Sequence, residues 1–283
     1  MAGKGSNLAT SPSWQTSRRA PNATLRLRRC ARIAGVAWVL DLDGVVWLGD
    51  QALPGAADAV ARLRAAGQRV VFATNNSSAV VAQQEAKLAR FGIPAEGDLI
   101  TSAMAGAALV EPGERVLVCG GPGVVEALEQ RHALPVRDQT DVDAVMVGFH
   151  RDFDYERMRL AAEALRRGGR FIATNDDATY PTPEGPIPGG GAIAASVAYA
   201  AGQAPEVAGK PHQPMADLIR ARTGEDDGIV VGDRPETDGA FAKTLGYRFG
   251  LVLTGVTKAG DLPVQPSPDL VADDLAALVD ASL

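Results

Sequence analysis

Cysteine is nearly absent from the 283-residue chain, which holds only Cys30 and Cys119. Two cysteines cannot build a disulfide framework, and neither lies at metal-ligand spacing from the three histidines. Long apolar runs are missing too. The stretch Ile33 to Leu40 is eight residues long and runs straight into Asp41, which excludes a secretory signal or a membrane span there. Acidic residues are absent from positions 1 to 40, where Lys4 and six arginines (Arg18, Arg19, Arg26, Arg28, Arg29, Arg32) give +7 and leave −13 for the remainder. That basic, Ser/Thr-rich stretch (1–35) reads as a disordered leader: a plain extension, a transit peptide or a basic arm. A net charge of −6 and a pI near 5.2 argue against a nucleic-acid binder. A reducing, cytoplasm-like compartment is expected, with no membrane partner.

What is present is an alternation. Short apolar runs (Trp38 to Leu42, Arg69 to Ala73, Val116 to Cys119, Ala144 to Phe149, Phe171 to Thr174, Ile229 to Val231, Phe249 to Leu253) read as buried parallel strands. Amphipathic stretches lie between them, among them Ala56/Val60/Leu63, Asp154 to Arg167 and Met215 to Arg222, several closed by glycine. The pattern predicts an α/β fold with a Rossmann-like parallel-sheet core. Residues 113–203 alternate in the same way without carboxylates at strand ends, and read as an inserted α/β domain between core segments 36–112 and 204–283. Within it, 181–191 is dense in Pro and Gly and reads as a loop before a helix starting near Gly191.

Ligands bind at the carboxyl ends of strands in such sheets, and polar residues gather there. Asp41 and Asp43 close the first strand, with Gly44 permitting a turn. They read either as a nucleophile beside a proton donor or as an exposed strand end. Asp233 and Asp238, after another apolar strand, offer hard oxygens suited to Mg²⁺, with Asp238 alternatively an acid in the first turn of a helix. Lys210, one of five lysines, could place positive charge where a phosphate meets a carboxylate, or be a surface lysine before Pro211. Thr74, Asn75 and Asn76 supply hydrogen-bonding groups or ordinary turn chemistry. The glycine-rich 120–123 lacks the G-x-G-x-x-G spacing of a dinucleotide site. Cys119 reads as a small buried residue, and His150 and His212 as loop or surface residues.

Taken in order, Asp41-x-Asp43-Gly44, Thr74-Asn75-Asn76, Gly209-Lys210-Pro211 and Gly232-Asp233-x-x-x-Thr237-Asp238 resemble the haloacid dehalogenase superfamily of phosphatases. The likeness covers roughly 36–283, and the spacing resembles the p-nitrophenylphosphatase-like subclass IIA, with its large inserted cap. It implies Asp41 as nucleophile, Asp43 as general acid then base, and Lys210 as charge stabiliser. It implies Mg²⁺ held by the Asp41 side chain, the Asp43 backbone carbonyl and Asp233, with Asp238 in support. Thr74 would donate to phosphate, and Asn75, Asn76 and Ser77 would orient phosphate or substrate. Asn175, Asp177 and Tyr180 of the cap would face the substrate, a small phosphorylated metabolite such as phosphoglycolate, glycerol phosphate, pyridoxal phosphate or a nucleotide. The turn Gly49-Asp50 after Trp47 would be a hairpin flap. A homodimer through the cap is expected by the same analogy. The alternatives are a phosphotransferase or mutase of the superfamily, and a non-catalytic phospho-acceptor that needs Asp41 alone.

Overall fold

The computed structural model describes residues 36–182 and 185–283; the basic leader lies outside them. In chain order the first core segment comprises β1 (Ala37–Leu40), β2 (Trp47–Leu48), β3 (Gln51–Ala52), α1 (Ala56–Ala65), β4 (Arg69–Thr74), α2 (Val81–Arg90), β5 (Leu99–Thr101) and α3 (Ser102–Ala107). The inserted cap follows with β6 (Arg115–Cys119), α4 (Pro122–Gln130), β7 (Leu134–Val136), β8 (Ala144–Val147), α5 (Tyr155–Arg166), β9 (Arg170–Ala173), β10 (Thr179–Tyr180), β11 (Ile187–Pro188), α6 (Gly190–Ala201) and β12 (Glu206–Val207). The chain then returns to the core through α7 (Gln213–Thr223), β13 (Gly228–Gly232), α8 (Ala240–Leu245), β14 (Arg248–Val252), β15 (Leu270–Ala272) and α9 (Leu275–Ser282).

Two parallel sheets result, ordered β15-β14-β13-β1-β4-β5 in the core and β12-β9-β8-β6-β7 in the cap. All seven strands expected from the apolar runs are there. The boundary at residue 203 shifts, because β12 pairs with β9 and keeps the chain in the cap sheet as far as Val207. A two-residue strand is too short to leave a periodic signal, which is why the sequence did not place it. The breaker-rich 181–191 likewise is not all loop: Ile187–Pro188 pairs back on Thr179–Tyr180 as a small hairpin.

Alternate residues of each strand feed opposite faces, as the two-residue period requires. Trp38 and Leu40 of β1 join Phe72, Leu63 and Val231 on the side of α1 and α9. Ala37 and Val39 join Val71, Met215 and Phe241 on the side of α7 and α8. The cap repeats the arrangement, with Val118 and Met146 packed toward α4 and Val147 and Phe171 toward α5 and α6. In the core sheet β1 lies between β13 and β4, so the chain leaves it in opposite directions on its two sides. A crevice opens at the carboxyl end of such a strand. Among the described residues no helix is long and apolar enough to cross a membrane.

Candidate active site

The ladder of β1 continues one residue past its end, since the Asp41 amide donates to the Val231 carbonyl at 2.9 Å. Asp41 therefore follows the parity of Ala37 and Val39, toward α7 and α8. The chain then turns, with Gly44 N–H donating to Trp47 C=O at 2.7 Å and Trp47 N–H to Leu42 C=O at 3.1 Å. Gly44 has φ +82°, and a Cβ there would stand 2.6 Å from the Asp233 carboxylate and 2.9 Å from Gly255 Cα. The turn thus demands glycine both for its dihedral and for its closeness to a second acidic residue. It swings Asp43 to where Trp47 Nε1–H donates to Oδ1 at 3.0 Å. Burial pushes the Asp43 carboxyl up, and this indole hydrogen bond opposes part of the rise.

Asp233 and Asp238 come from the end of β13 and the wide turn after it, and both are buried. Carboxylate oxygens of Asp41, Asp233 and Asp238 lie within 4.8 Å of one another. Lys210 Nζ, also buried, reaches Asp41 Oδ1 at 2.7 Å and Asp238 Oδ1 at 2.8 Å. Burial alone would lower the Lys210 ammonium, but the carboxylates of Asp238 and Asp41 outweigh it and hold the lysine charged. Burial drives the Asp41 carboxyl up, and Asp238 and Asp233 add to the rise while Lys210 opposes it. Asp233 is pushed up to about 6, first by burial and then by Asp238, against the Val256 N–H that donates to its Oδ2 at 2.5 Å. One lysine does not balance three carboxylates, two of them buried and the third, Asp41, half-buried. Crowded hard oxygens, with the Asp41 and Asp233 carboxyls pushed up by burial, suit a divalent cation. The surface-lysine alternative for Lys210 and the exposed-strand-end reading of Asp41 do not hold in this geometry.

Of the site residues that the family resemblance implies, all but Ser77 line this one pocket. Thr74 is buried at the end of β4, its Oγ1 accepting from Asn76 N–H at 3.0 Å. Ser77 is fully buried and accepts from Thr174 Oγ1 at 2.9 Å, where core meets cap. It is not among the residues that line the pocket. The cap supplies Asn175, Asp177 and Tyr180, with the Tyr180 ring stacked on Phe149 at 4.8 Å between centroids and 13° between planes. Asn76 Nδ2 sits 3.5 Å from the Tyr180 hydroxyl. Burial pushes that phenol up to about 12. Cys119 is buried, as expected, and its thiol is pushed up to about 12. His150 sits in the loop after β8, one of the two placements expected, and is buried there with Nδ1 on the Gly148 carbonyl at 2.9 Å. His212 stays partly exposed and meets Asp176 Oδ2 at 2.9 Å.

Three contributors escaped the sequence reading. The sequence marks Trp47 only as the start of the flap, which β2 and β3 do form, yet its indole serves Asp43. Arg234 and the 254–256 loop after β14 also line the pocket or touch its acids, with Thr254 Oγ1 donating to Gly44 C=O at 2.5 Å. Gly255, two residues past the apolar run that ends at Leu253, was the available signal for that loop.

A capped α/β fold with acidic strand ends gathered around one lysine defines a class of phosphoryl-handling hydrolases. A family model described as haloacid dehalogenase-like hydrolase matches residues 38–133, and a second, for HAD-like hydrolases, matches 207–278. The chain is 36% identical over 250 residues to the D-glycerol 3-phosphate phosphatase of Mycobacterium tuberculosis, covering 85% of this chain and 70% of that protein. It is 33% identical to an acid sugar phosphatase of Staphylococcus haemolyticus, over 80% of this chain and 88% of the relative. Among solved structures, the 4-nitrophenylphosphatase of Thermotoga maritima superposes with a TM-score of 0.82 at 33% identity, covering 88% of this chain and 98% of that one. The M. tuberculosis glycerol phosphate phosphatase in complex with magnesium gives 0.79 at 34% identity, covering 87% and 76%. The chain belongs to the haloacid dehalogenase-like hydrolases, among the subclass IIA phosphatases, and is a phosphoric monoester hydrolase.

Proposed function

We propose that this protein hydrolyses small-molecule phosphate monoesters with Mg²⁺ through a phospho-aspartyl intermediate on Asp41. The observation that carries the reading is Lys210 Nζ bridging Asp41 and Asp238 inside a carboxylate cluster that also holds Asp233. The acids fit the cation: the Asp41 side chain, the Asp43 backbone carbonyl and Asp233 would hold it, and Asp238 would support them. When bound, Mg²⁺ supplies positive charge against the phosphoryl oxygens and relieves the repulsion among the acids. The magnesium complex of the M. tuberculosis relative supports this choice of metal.

The chain's own residues then divide the work. The Asp41 carboxylate attacks phosphorus and the ester P–O bond breaks, while Asp43, whose carboxyl burial pushes up in favour of the acid form, gives its proton to the departing oxygen. In the second step Asp43, now a carboxylate, takes a proton from water as that water attacks phosphorus and frees Asp41. Lys210 remains charged throughout, set against negative charge that grows on the phosphoryl oxygens. The cap covers this chemistry from above, and its Phe149, Tyr180 and Pro181 together with Leu48 of the flap give the leaving-group space an apolar wall. The same reading takes the substrate from the range its relatives suggest, glycerol phosphate or sugar phosphates first. It places the protein in the cytoplasm as a cap-mediated homodimer, which light scattering of the purified protein would check.

Purified protein should release inorganic phosphate from p-nitrophenyl phosphate only with added Mg²⁺, and Asp41→Asn should abolish release. Turnover persisting in Asp41→Asn would refute the mechanism. A panel of glycolate, glycerol, pyridoxal, sugar and nucleotide phosphates then ranks the esters by kcat/KM.

A further inference from the structure

Asn75 lines the pocket, yet its side-chain amide is already spent on the protein. Its Oδ1 accepts from Lys210 N–H at 2.8 Å, and its Nδ2 donates to the Lys210 carbonyl at 2.9 Å, so one amide grips the lysine's main chain from both sides. The second Nδ2 hydrogen goes to Asp177 Oδ2 of the cap at 2.8 Å. With two N–H donors on the group, none is left for a phosphate. The same Asp177 oxygen accepts from Asn175 Nδ2 at 2.6 Å. Ser102 Oγ, buried at the start of α3, fixes the Asn75 carbonyl at 2.8 Å. Gly209 completes the fit, because a Cβ there would stand 2.5 Å from Asn75 Oδ1. The amide orientation is unambiguous: only nitrogen can face the carboxylate and the carbonyl, and only oxygen can face the N–H.

We infer that Asn75 is a positioning residue that couples the cap to the catalytic lysine, registering Lys210 on Asp41 when Asp177 of the cap is seated on the Asn75 amide. The inference rests on the phosphatase reading above and deepens it. The lysine's ammonium must sit within hydrogen-bond distance of Asp41, and a displacement of about 1 Å in such a group can cost on the order of 100-fold in rate. Its main chain is clamped by a residue 135 positions earlier, which is itself tied to a residue 102 positions later. Unseating Asp177 leaves one Nδ2 hydrogen of the Asn75 amide unpaired. Cap position is thereby transmitted to Lys210 through a single planar group whose two side-chain N–H donors are both taken within the protein.

The test is a double-variant cycle on the full chain with Mg²⁺ and p-nitrophenyl phosphate. Asn75→Ala and Asp177→Ala are each expected to lower kcat by roughly 10- to 100-fold, and the double variant to fall no further than the worse single one. Asp177→Asn, whose amide oxygen still accepts from both neighbours, should recover most of that loss. A loss confined to KM, or effects that multiply in the double variant, would make Asn75 a direct substrate ligand and overturn the coupling. A second readout does not depend on turnover. Hydrogen exchange in Asp177→Ala, whose side chain is only partly buried, should speed up in 209–212 as well as in the cap loop 175–180. Faster exchange in the cap loop alone would equally sink the idea. If the wild-type protein releases no phosphate at all, the phosphatase reading fails while the exchange experiment still decides the coupling.

Discussion

Asp43 and Trp47 pose the sharpest question a single residue raises in this site. Burial raises the Asp43 carboxyl, and the indole N–H at 3.0 Å stabilises its anion and limits that rise. A donor acid is needed protonated in the first step, so kcat/KM should fall as pH climbs through the Asp43 pKa. Removing the indole donor moves that pKa further up, because the charged form loses its hydrogen bond. Trp47→Phe should therefore shift the alkaline limb of the kcat/KM profile to higher pH, and a shift to lower pH would show that burial is not what sets Asp43. Asp43→Asn removes the proton altogether and should cost at least ~100-fold. A rate unchanged by Asp43→Asn would instead favour the phospho-acceptor alternative, which needs only Asp41.

At the scale of elements, the site is assembled from the carboxyl ends of β1, β4 and β13, the loop after β14 and the segment that leads into α7. The first three were legible because each apolar run stops at a polar residue: Leu40 before Asp41, Ala73 before Thr74, Gly232 before Asp233. The segment 209–212 follows only Glu206–Val207, and it was legible through its motif alone. Strands of two or three residues, such as Leu99–Thr101 and Leu270–Ala272, left no pattern long enough to read. Contacts across the fold were beyond reach for another reason. That Gly255 would meet Asp233 depends on how β14 lies against β13, and no spacing along the chain encodes it. The consequence is specific. A side chain at 255 would intrude on the Asp233 carboxylate, so Gly255→Ala should lose about 1–3 kcal/mol of stability from overpacking and also weaken the activation of turnover by Mg²⁺. Thermal unfolding and a Mg²⁺ titration of activity measure the two effects, and an unaltered Mg²⁺ requirement would mean that this loop does not shape the acidic cluster.

For the molecule as a whole, the acidic cluster ties stability to pH and to metal. Asp41, Asp43 and Asp233 all have carboxyls raised by burial, Asp233 to about 6. A carboxyl raised in the folded state binds more protons there than in the unfolded chain. Its contribution is complete below the ordinary carboxylate range and is lost as pH rises through the folded value. The metal-free protein should accordingly lose thermal stability between about pH 4 and pH 7, and Asp233→Asn, which cannot ionise, should flatten part of that slope. Mg²⁺ binds the ionised carboxylates of the folded state, so it should raise the unfolding temperature more at pH 7.5 than at pH 5. Calorimetry over that range with and without the cation distinguishes the possibilities. A metal-free unfolding temperature that climbs steadily from pH 4 to 7, or a larger Mg²⁺ shift at pH 5, would mean that the three carboxylates are compensated within the protein and do not await a cation. In that event Lys210, held between Asp41 and Asp238, would have to supply the balancing charge together with Arg234 and Lys87.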